Sequence, residues 1–192
     1  LTSTFGVFIG IIAGYFRGVI DEILMRLIDV LLAFPSIILA LVIIGALGPG
    51  MINTIVAISL VGWLFYARVA RATTLSIREK EYIEGARAMG CSDGYICLRY
   101  VLPNCLPPII VLMTLNLGSV ILSIAALGYL GLGAQPPTPE WGSMLNEGRE
   151  YLRDCPWLCV FPGLMIMLAV LAFNFIGDGL RDAIDPRQMV IK

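Results

Sequence analysis

The chain has 192 residues, of which 58% are apolar and 14% charged, with a mean hydropathy of +0.88 and a net charge of −1. That balance belongs to an integral membrane protein rather than a soluble domain, and so small a net charge predicts neither nucleic-acid binding nor strong attraction to an anionic surface. There is no histidine, which excludes Ser-His-Asp and Cys-His catalysis and His-ligated metals.

A helix rises about 1.5 Å per residue and the hydrocarbon core is about 30 Å thick, so each crossing takes about 20 mainly apolar residues. In chain order, residues 5–16 (FGVFIGIIAGYF) come first and are too short to cross alone. We expect a truncated first span with a further N-terminal span missing upstream. A signal peptide competes poorly, because no basic segment precedes the run and Tyr15-Phe16-Arg17, not a small-residue cleavage site, follows it. Residues 30–47, 51–67, 105–133 and 157–177 contain no Asp, Glu, Lys or Arg and are expected as four full spans. The fold class is therefore an all-α polytopic transmembrane bundle with five spans present, read as a single domain over 1–192, since no internal repeat is visible.

Gly48-Pro49-Gly50 predicts a tight turn, while 68–104 and 134–156 are the long connections and must lie on opposite faces of the membrane. If 68–104 is cytoplasmic, that side also holds 17–29 and the chain from 178 onwards. It then carries Arg17, Arg26, Arg68, Arg71, Arg78, Lys80, Arg87, Arg99, Arg181, Arg187 and Lys192, against Arg149 and Arg153 outside. This positive-inside bias makes 68–104 cytoplasmic and 134–156 external. Prolines at 35, 107, 108 and 162 are expected to bend their helices. Five cysteines scattered between loop and span imply no disulfide framework, and Cys155 and Cys159 are read as free thiols.

The cytoplasmic connection holds Arg78, Glu79, Lys80, Glu81, Glu84, Arg87, Asp93 and Arg99 within a short stretch. Moving these into hydrocarbon would cost on the order of 20 kcal/mol, so the segment lies in water or against protein. With four basic and four acidic members it forms no phosphate-binding stripe. Tyr82, Ile83, Ala86 and Met89 share one face of a helix over 78–89; Lys80, Glu84 and Arg87 share the other. Gly90 predicts its C-terminal stop, and Ser92-Asp93 the cap of a second helix over 94–102 that Pro103 ends. An amphipathic helix lying in the headgroups would fit the periodicity, but it would carry mostly Lys and Arg on its polar face and a Trp or Phe anchor, whereas this one mixes both signs of charge and has neither. Gly85, Ala86 and Ala88 instead form a small-residue patch that another protein could approach closely.

Glu84-Gly85-Ala86, then Gly90, then Leu102-Pro103 resemble the EAA loop of the permease subunits of ABC importers. Gly85 stands where that pattern has its middle Ala, and Tyr100 where an Ile is common. "YIEGARAMGCSDGYICLRYVLPN", "GYLGLGAQPPTPEWGSMLNEGREYL" and "FPGLMIMLAVLAFNFIGDGLRDAIDPR" look like the dipeptide, oligopeptide and nickel type of permease, a resemblance covering nearly the whole chain. It implies that residues 78–90 form a coupling helix seated in a groove of a cytoplasmic ATPase subunit, with Glu84, Gly85, Ala86, Arg87 and Gly90 at the joint. It further implies a second permease subunit, an extracytoplasmic solute-binding protein, and a lipid-embedded location in a bacterial or archaeal cytoplasmic membrane.

Gly128, Gly131 and Gly133 lack the spacing of a phosphate loop and are expected to be helix-packing glycines; no GxxxxGK[ST] occurs, so ATP hydrolysis falls to a partner and no cofactor is expected. Asn53, Ser59, Asn116, Ser119, Ser123 and Asn174 are polar groups inside the spans that either line a translocation path or bond between helices. The external connection is acidic through Glu140, Glu147, Glu150 and Asp154 and reads as a stiff Pro-rich lead followed by a short surface helix. Under the resemblance it gates the outer mouth and meets the binding protein; a carboxylate site for a cation such as nickel is the weaker reading. A secondary transporter or channel is the rival functional class, disfavoured because the four spans hold no ionisable residue.

Overall fold

The structure, a computed structural model, describes residues 2–184. Arg187 and Lys192 of the basic count lie outside the described residues, as does the Asp185-Pro186-Arg187 end of the third quoted string. Every regular element among the described residues is helical. In order these are α1 (Thr2–Phe16), α2 (Gly18–Leu32), α3 (Ser36–Leu47), α4 (Met51–Arg78), α5 (Glu81–Ala88), α6 (Asp93–Ile96), a π turn (Cys97–Val101), α7 (Leu102–Tyr129), α8 (Trp141–Gly148), a 3-10 turn (Arg149–Tyr151) and α9 (Trp157–Ile184).

Among the described residues three helices are long and apolar enough to cross a membrane: Met51–Arg78, the run Asp93–Tyr129, and Trp157–Ile184. A fourth crossing counts if α2 and α3 are taken together as one broken span. The expected span over 30–47 is thus corrected. Pro35 ends it as a continuous helix, because proline lacks the N–H that would bond back and its ring disfavours helical geometry in the residue before it. Residues 30–32 complete α2, and α3, at 12 residues, is too short to cross alone.

Pro103 was expected to end a helix and does not. The chain stays helical from Asp93 through Tyr129. Just before the proline, the Leu102 N–H reaches back to the Cys97 carbonyl in a wide π turn, which opens the helix where the Pro103 ring would meet the Arg99 carbonyl. Asn104 Nδ2 also donates to the Tyr100 carbonyl at 2.7 Å. Pro107, Pro108 and Pro162 all lie inside continuous helices.

The chain forms two compact units, one of residues up to 34 with 62–112, the other of 35–61 with residues from 113 onwards. In the first, α1 lies against α4 through Gly6, Gly10 and Gly14, spaced one helical turn apart. A Cβ on Gly10 would come 2.7 Å from the Ala70 Cβ and 2.9 Å from the Arg71 nitrogen; one on Gly14 would come 2.8 Å from the Thr74 Cβ. Small-residue spacing of this kind lets two backbones approach without side chains between them. Phe5 and Trp63 meet edge-to-face at 5.1 Å beside this seam.

Three ion pairs reinforce the same unit: Arg71 with Asp21 through two hydrogen bonds of 2.5 and 2.6 Å, Arg68 with Asp29, and Arg17 with Glu79 at 2.7 Å. Arg17 sits at φ 55°, ψ −165°, a region otherwise reserved for glycine, so the α1–α2 turn is strained.

In the second unit, the α3–α4 turn has Gly48 at φ 89° and Gly50 at φ 145°. The C-terminus of α7 closes as a Schellman motif: Leu132 N–H bonds the Leu127 carbonyl, Gly131 N–H bonds the Gly128 carbonyl, and Gly131 takes φ 78°. Leu127 and Leu132 pack in one cluster with Ala40, Ile44 and Ala57. The expected short helix in 134–156 is α8. Glu140 caps it, its carboxylate accepting from the Gly142 and Ser143 backbone nitrogens at 2.8 Å each. Of the three glycines expected to pack helices, Gly128 and Gly133 are closely packed, a Cβ on Gly133 falling 2.7 Å from the Gly128 Cα and Gly128 backing onto Glu140, whereas Gly131 is corrected: it serves the turn through its positive φ, and a Cβ there would meet only Asn146 at 3.6 Å.

Candidate functional site

The mixed-charge segment that the sequence singled out folds as a knob on the end of the first unit. After α4 ends at Arg78, Lys80 turns to extended geometry and its carbonyl accepts from the Ile83 and Glu84 N–H groups, starting α5. Glu81 and Glu84 lie in the first turn and Arg87 in the last, each on the side its charge favours in the helix dipole. At the far end Gly90 takes φ 81°, its N–H bonds the Arg87 carbonyl, and Cys91 N–H bonds the Ala86 carbonyl, a second Schellman motif. Ser92 then caps α6 by accepting from the Tyr95 N–H, at 3.4 Å.

Only part of the expected apolar face is buried. Ile83 and Ala86 are 0% and 1% exposed, in a cluster with Val7, Ile11, Tyr15, Ile77, Ile96 and Val101. Burying Ile83 alone is worth about 1.5–3 kcal/mol, which fixes how α5 is rotated. Tyr82 and Met89, assigned by periodicity to the same face, are 47% and 77% exposed. Of the residues expected at a partner joint, Glu84, Gly85, Arg87 and Gly90 are on the surface, and no heavy atom lies within 4 Å of a Cβ built on Gly85 or Gly90. Ala86 is corrected: it faces the core of its own unit and is not part of an open small-residue patch. Among the described residues the ion pairs do not include Lys80–Glu84 or Glu84–Arg87; the Arg87 guanidinium lies over the Tyr15 ring, 5.2 Å from its centroid. Tyr82, Tyr95 and Tyr100 stand together beside α5, with ring centroids 6.2 and 6.1 Å apart.

Of the polar residues named inside the spans, Asn53 lies apart from Asn116, Ser119 and Asn174. Asn53 Nδ2 donates to the Leu47 and Gly48 carbonyls at 3.0 Å each, and its neighbour Thr54 bonds the Gly50 and Leu132 carbonyls. Asn174 lies against Gly118, where a Cβ would come 3.1 Å from its Oδ1. Gly118 precedes Tyr129, the last residue of α7, by about 17 Å along the helix, so Asn53 and Asn174 sit at different depths. Asn116 is half-buried, and Ser119 is exposed, with its carbonyl accepting from Ser123 Oγ at 2.8 Å. Among the described residues no group of three or more His, Cys, Asp or Glu side chains is gathered to hold a metal, and Glu140 is engaged as a helix cap. The five cysteines are unbridged.

The profile of the family described as binding-protein-dependent transport system inner membrane component matches residues 6–190. The chain belongs to that family. It is 50% identical over 184 residues to the dipeptide transport system permease protein DppC of Alkalihalophilus pseudofirmus, a match covering 96% of this chain and 60% of that protein. It is 48% identical to the glutathione transport system permease protein GsiD of Escherichia coli, over 96% of this chain and 64% of the relative. The di/tripeptide transport system permease protein DppC of Pseudomonas aeruginosa is 46% identical over 95% and 60%. This inner membrane component therefore spans about 60% of the length of the curated relatives it matches. In fold it is similar to a chain of the inward-facing MetNI methionine ABC transporter, with a TM-score of 0.74 at 22% identity, covering 96% of this chain and 88% of that one.

Two features of the site escaped the sequence reading. One is the glycine seam, legible in principle as the repeated Gly-x-x-x-Gly of "GVFIGIIAG" in residues 6–14. The other is Tyr15, which is 2% exposed and is met by polar side chains of three other helical segments; no local pattern marks it, because these partners lie 63 to 78 residues away.

Proposed function

We propose that this chain is the membrane-spanning part of a permease subunit of an ATP-driven importer that moves peptides or a related small solute inward by alternating access. The observation that carries the proposal is the exposed, mixed-charge ridge of α5 on a helix whose other side is locked into the transmembrane unit. Such a ridge is too polar for lipid and too firmly seated to be a loose linker, and its natural role is to receive force from another protein. Family membership supports the same reading over a secondary transporter or channel. On this proposal Glu84, Gly85, Arg87 and Gly90 meet a cytoplasmic ATPase subunit that supplies the hydrolysis, and a second permease subunit completes the passage. An extracytoplasmic binding protein delivers solute on the side of 134–156. The location is a bacterial or archaeal cytoplasmic membrane, and Asn116, Ser119 and Asn174 are the candidates for the path. Peptides and glutathione are favoured as cargo by the relatives' names, and nickel has no such support.

Gly85 offers the test, because a Cβ placed there meets no other part of the chain within 4 Å. In the full-length protein, Gly85→Cys is expected to cross-link to a nucleotide-hydrolysing subunit. Gly85→Trp should insert and assemble normally while lowering substrate-stimulated ATP hydrolysis at least tenfold. Failure to cross-link in a transporting complex, or purification without an ATPase and a second permease, would overturn the proposal and leave a secondary transporter or channel.

A further inference from the structure

We propose that Tyr15 is the positioning residue that joins α5 to the α1–α4 pair, so that movement of the exposed ridge is passed to the transmembrane helices without slack. The inference rests on the coupling role proposed for α5. Three segments, α4, α5 and α6, converge on this residue of α1. Its hydroxyl donates to Asp93 Oδ1 of α6 at 2.6 Å. Its ring lies under the guanidinium groups of Arg87 from α5 and Arg78 from α4, 5.2 and 5.7 Å from the centroid. Its carbonyl accepts a hydrogen bond from Arg78. Tyr15 itself follows directly on Gly14, the last step of the glycine seam, so whatever holds Tyr15 also holds α1 against α4.

The apolar contacts of Ile83 and Ala86 set how α5 is rotated, but being non-directional they resist small sliding movements along the contact only weakly. A hydrogen bond to a carboxylate and two cation–ring contacts have preferred geometries and resist such slippage. The sheltered phenol is where this resistance is concentrated: Arg78 and Arg87 bring two positive charges to its ring, and Asp93 brings the compensating negative charge to its hydroxyl.

The test uses the full-length permease assembled with its ATPase, second permease and binding protein in proteoliposomes. The readout is the ratio of ATP hydrolysis with and without a tryptone digest plus glutathione as the solute probe. Tyr15→Phe keeps the ring and removes only the donor; Asp93→Ala removes the acceptor, at an exposed residue in the first turn of α6. Each is expected to lower the ratio about tenfold, with the double variant no worse than either single one, since both delete the same bond. Asp93→Asn, which keeps an acceptor oxygen, should recover most of it. A residue needed only for folding would change assembly and leave the ratio in the assembled fraction intact. A ratio within twofold of wild type for both Tyr15→Phe and Asp93→Ala, with Gly85→Cys still cross-linking to the ATPase, overturns this proposal alone. No Gly85→Cys cross-link, or no stimulation of wild type by the probe, overturns the coupling reading and this inference with it.

Discussion

Gly10 is the position where the packing of α1 on α4 is most sharply testable. Replacing it by alanine adds one methyl group, which would lie 2.7 Å from the Ala70 Cβ and 2.9 Å from the Arg71 backbone nitrogen, and against the Ala67 carbonyl. Carbon atoms rest about 3.5–4.0 Å apart, so the seam must open by about 0.8–1.3 Å, and because two of the three obstacles are backbone, no rotamer change relieves it. Interhelical distances are about 8–10 Å, so this is about a tenth of the spacing and is felt along the whole contact. The opposing helix-propensity gain of alanine over glycine is at most about 1 kcal/mol, against an overpacking cost of about 1–3 kcal/mol, and the neighbouring Arg71–Asp21 pair is drawn apart as well. We expect a net loss of about 1–2 kcal/mol, a fall of about 5- to 30-fold in the folded-to-unfolded ratio. SDS titration of the full-length protein in mixed micelles measures it, with tryptophan emission reporting in part from Trp63, which touches Phe5 across the seam. Gly163→Ala in α9, where nothing lies within 4 Å, is the control and should be neutral or stabilising. Stability of Gly10→Ala at or above wild type, or an equal loss at Gly163, would refute the close-packed seam.

The ion pairs of the first unit should differ in worth. Asp21→Asn, at a side chain 14% exposed and doubly bonded to Arg71, is expected to lose about 2 kcal/mol in the same titration, whereas Glu79→Gln, 70% exposed, should lose under about 1 kcal/mol and less still in high salt. Asn53→Ala removes two hydrogen bonds to the α3–α4 turn and should destabilise by about 1–2 kcal/mol without altering solute selectivity; altered selectivity at unchanged stability would return Asn53 to the translocation path.

Local punctuation was legible. Gly90 and Ser92 act through the residues immediately around them, so the stop and cap they announce are where the sequence puts them. The three long spans were legible because uninterrupted apolarity over about 20 residues has few other uses. Pro35 was visible but under-read: one missing donor inside an apolar run suffices to divide it, and hydropathy averaging conceals the division. Pro103 was over-read, since a π turn upstream accommodates the ring.

Which side of a helix faces its neighbours was not legible, and the reason is physical. In a chain made for lipid, apolar residues face hydrocarbon and protein alike, so the contrast that orients a helix in water is missing. In α5, which lies outside the hydrocarbon, the reason differs: Tyr82 and Met89 stand about 100° and 120° round the helix from Ile83, so the arc read from the periodicity is wider than the strip that Ile83 and Ala86 bury. Residue chemistry summed over short windows was enough to make this a helical membrane protein with a polar knob. The glycine seam, the acids that answer Arg68 and Arg71, and the convergence on Tyr15 arise only when segments 39 to 78 residues apart are brought together by folding.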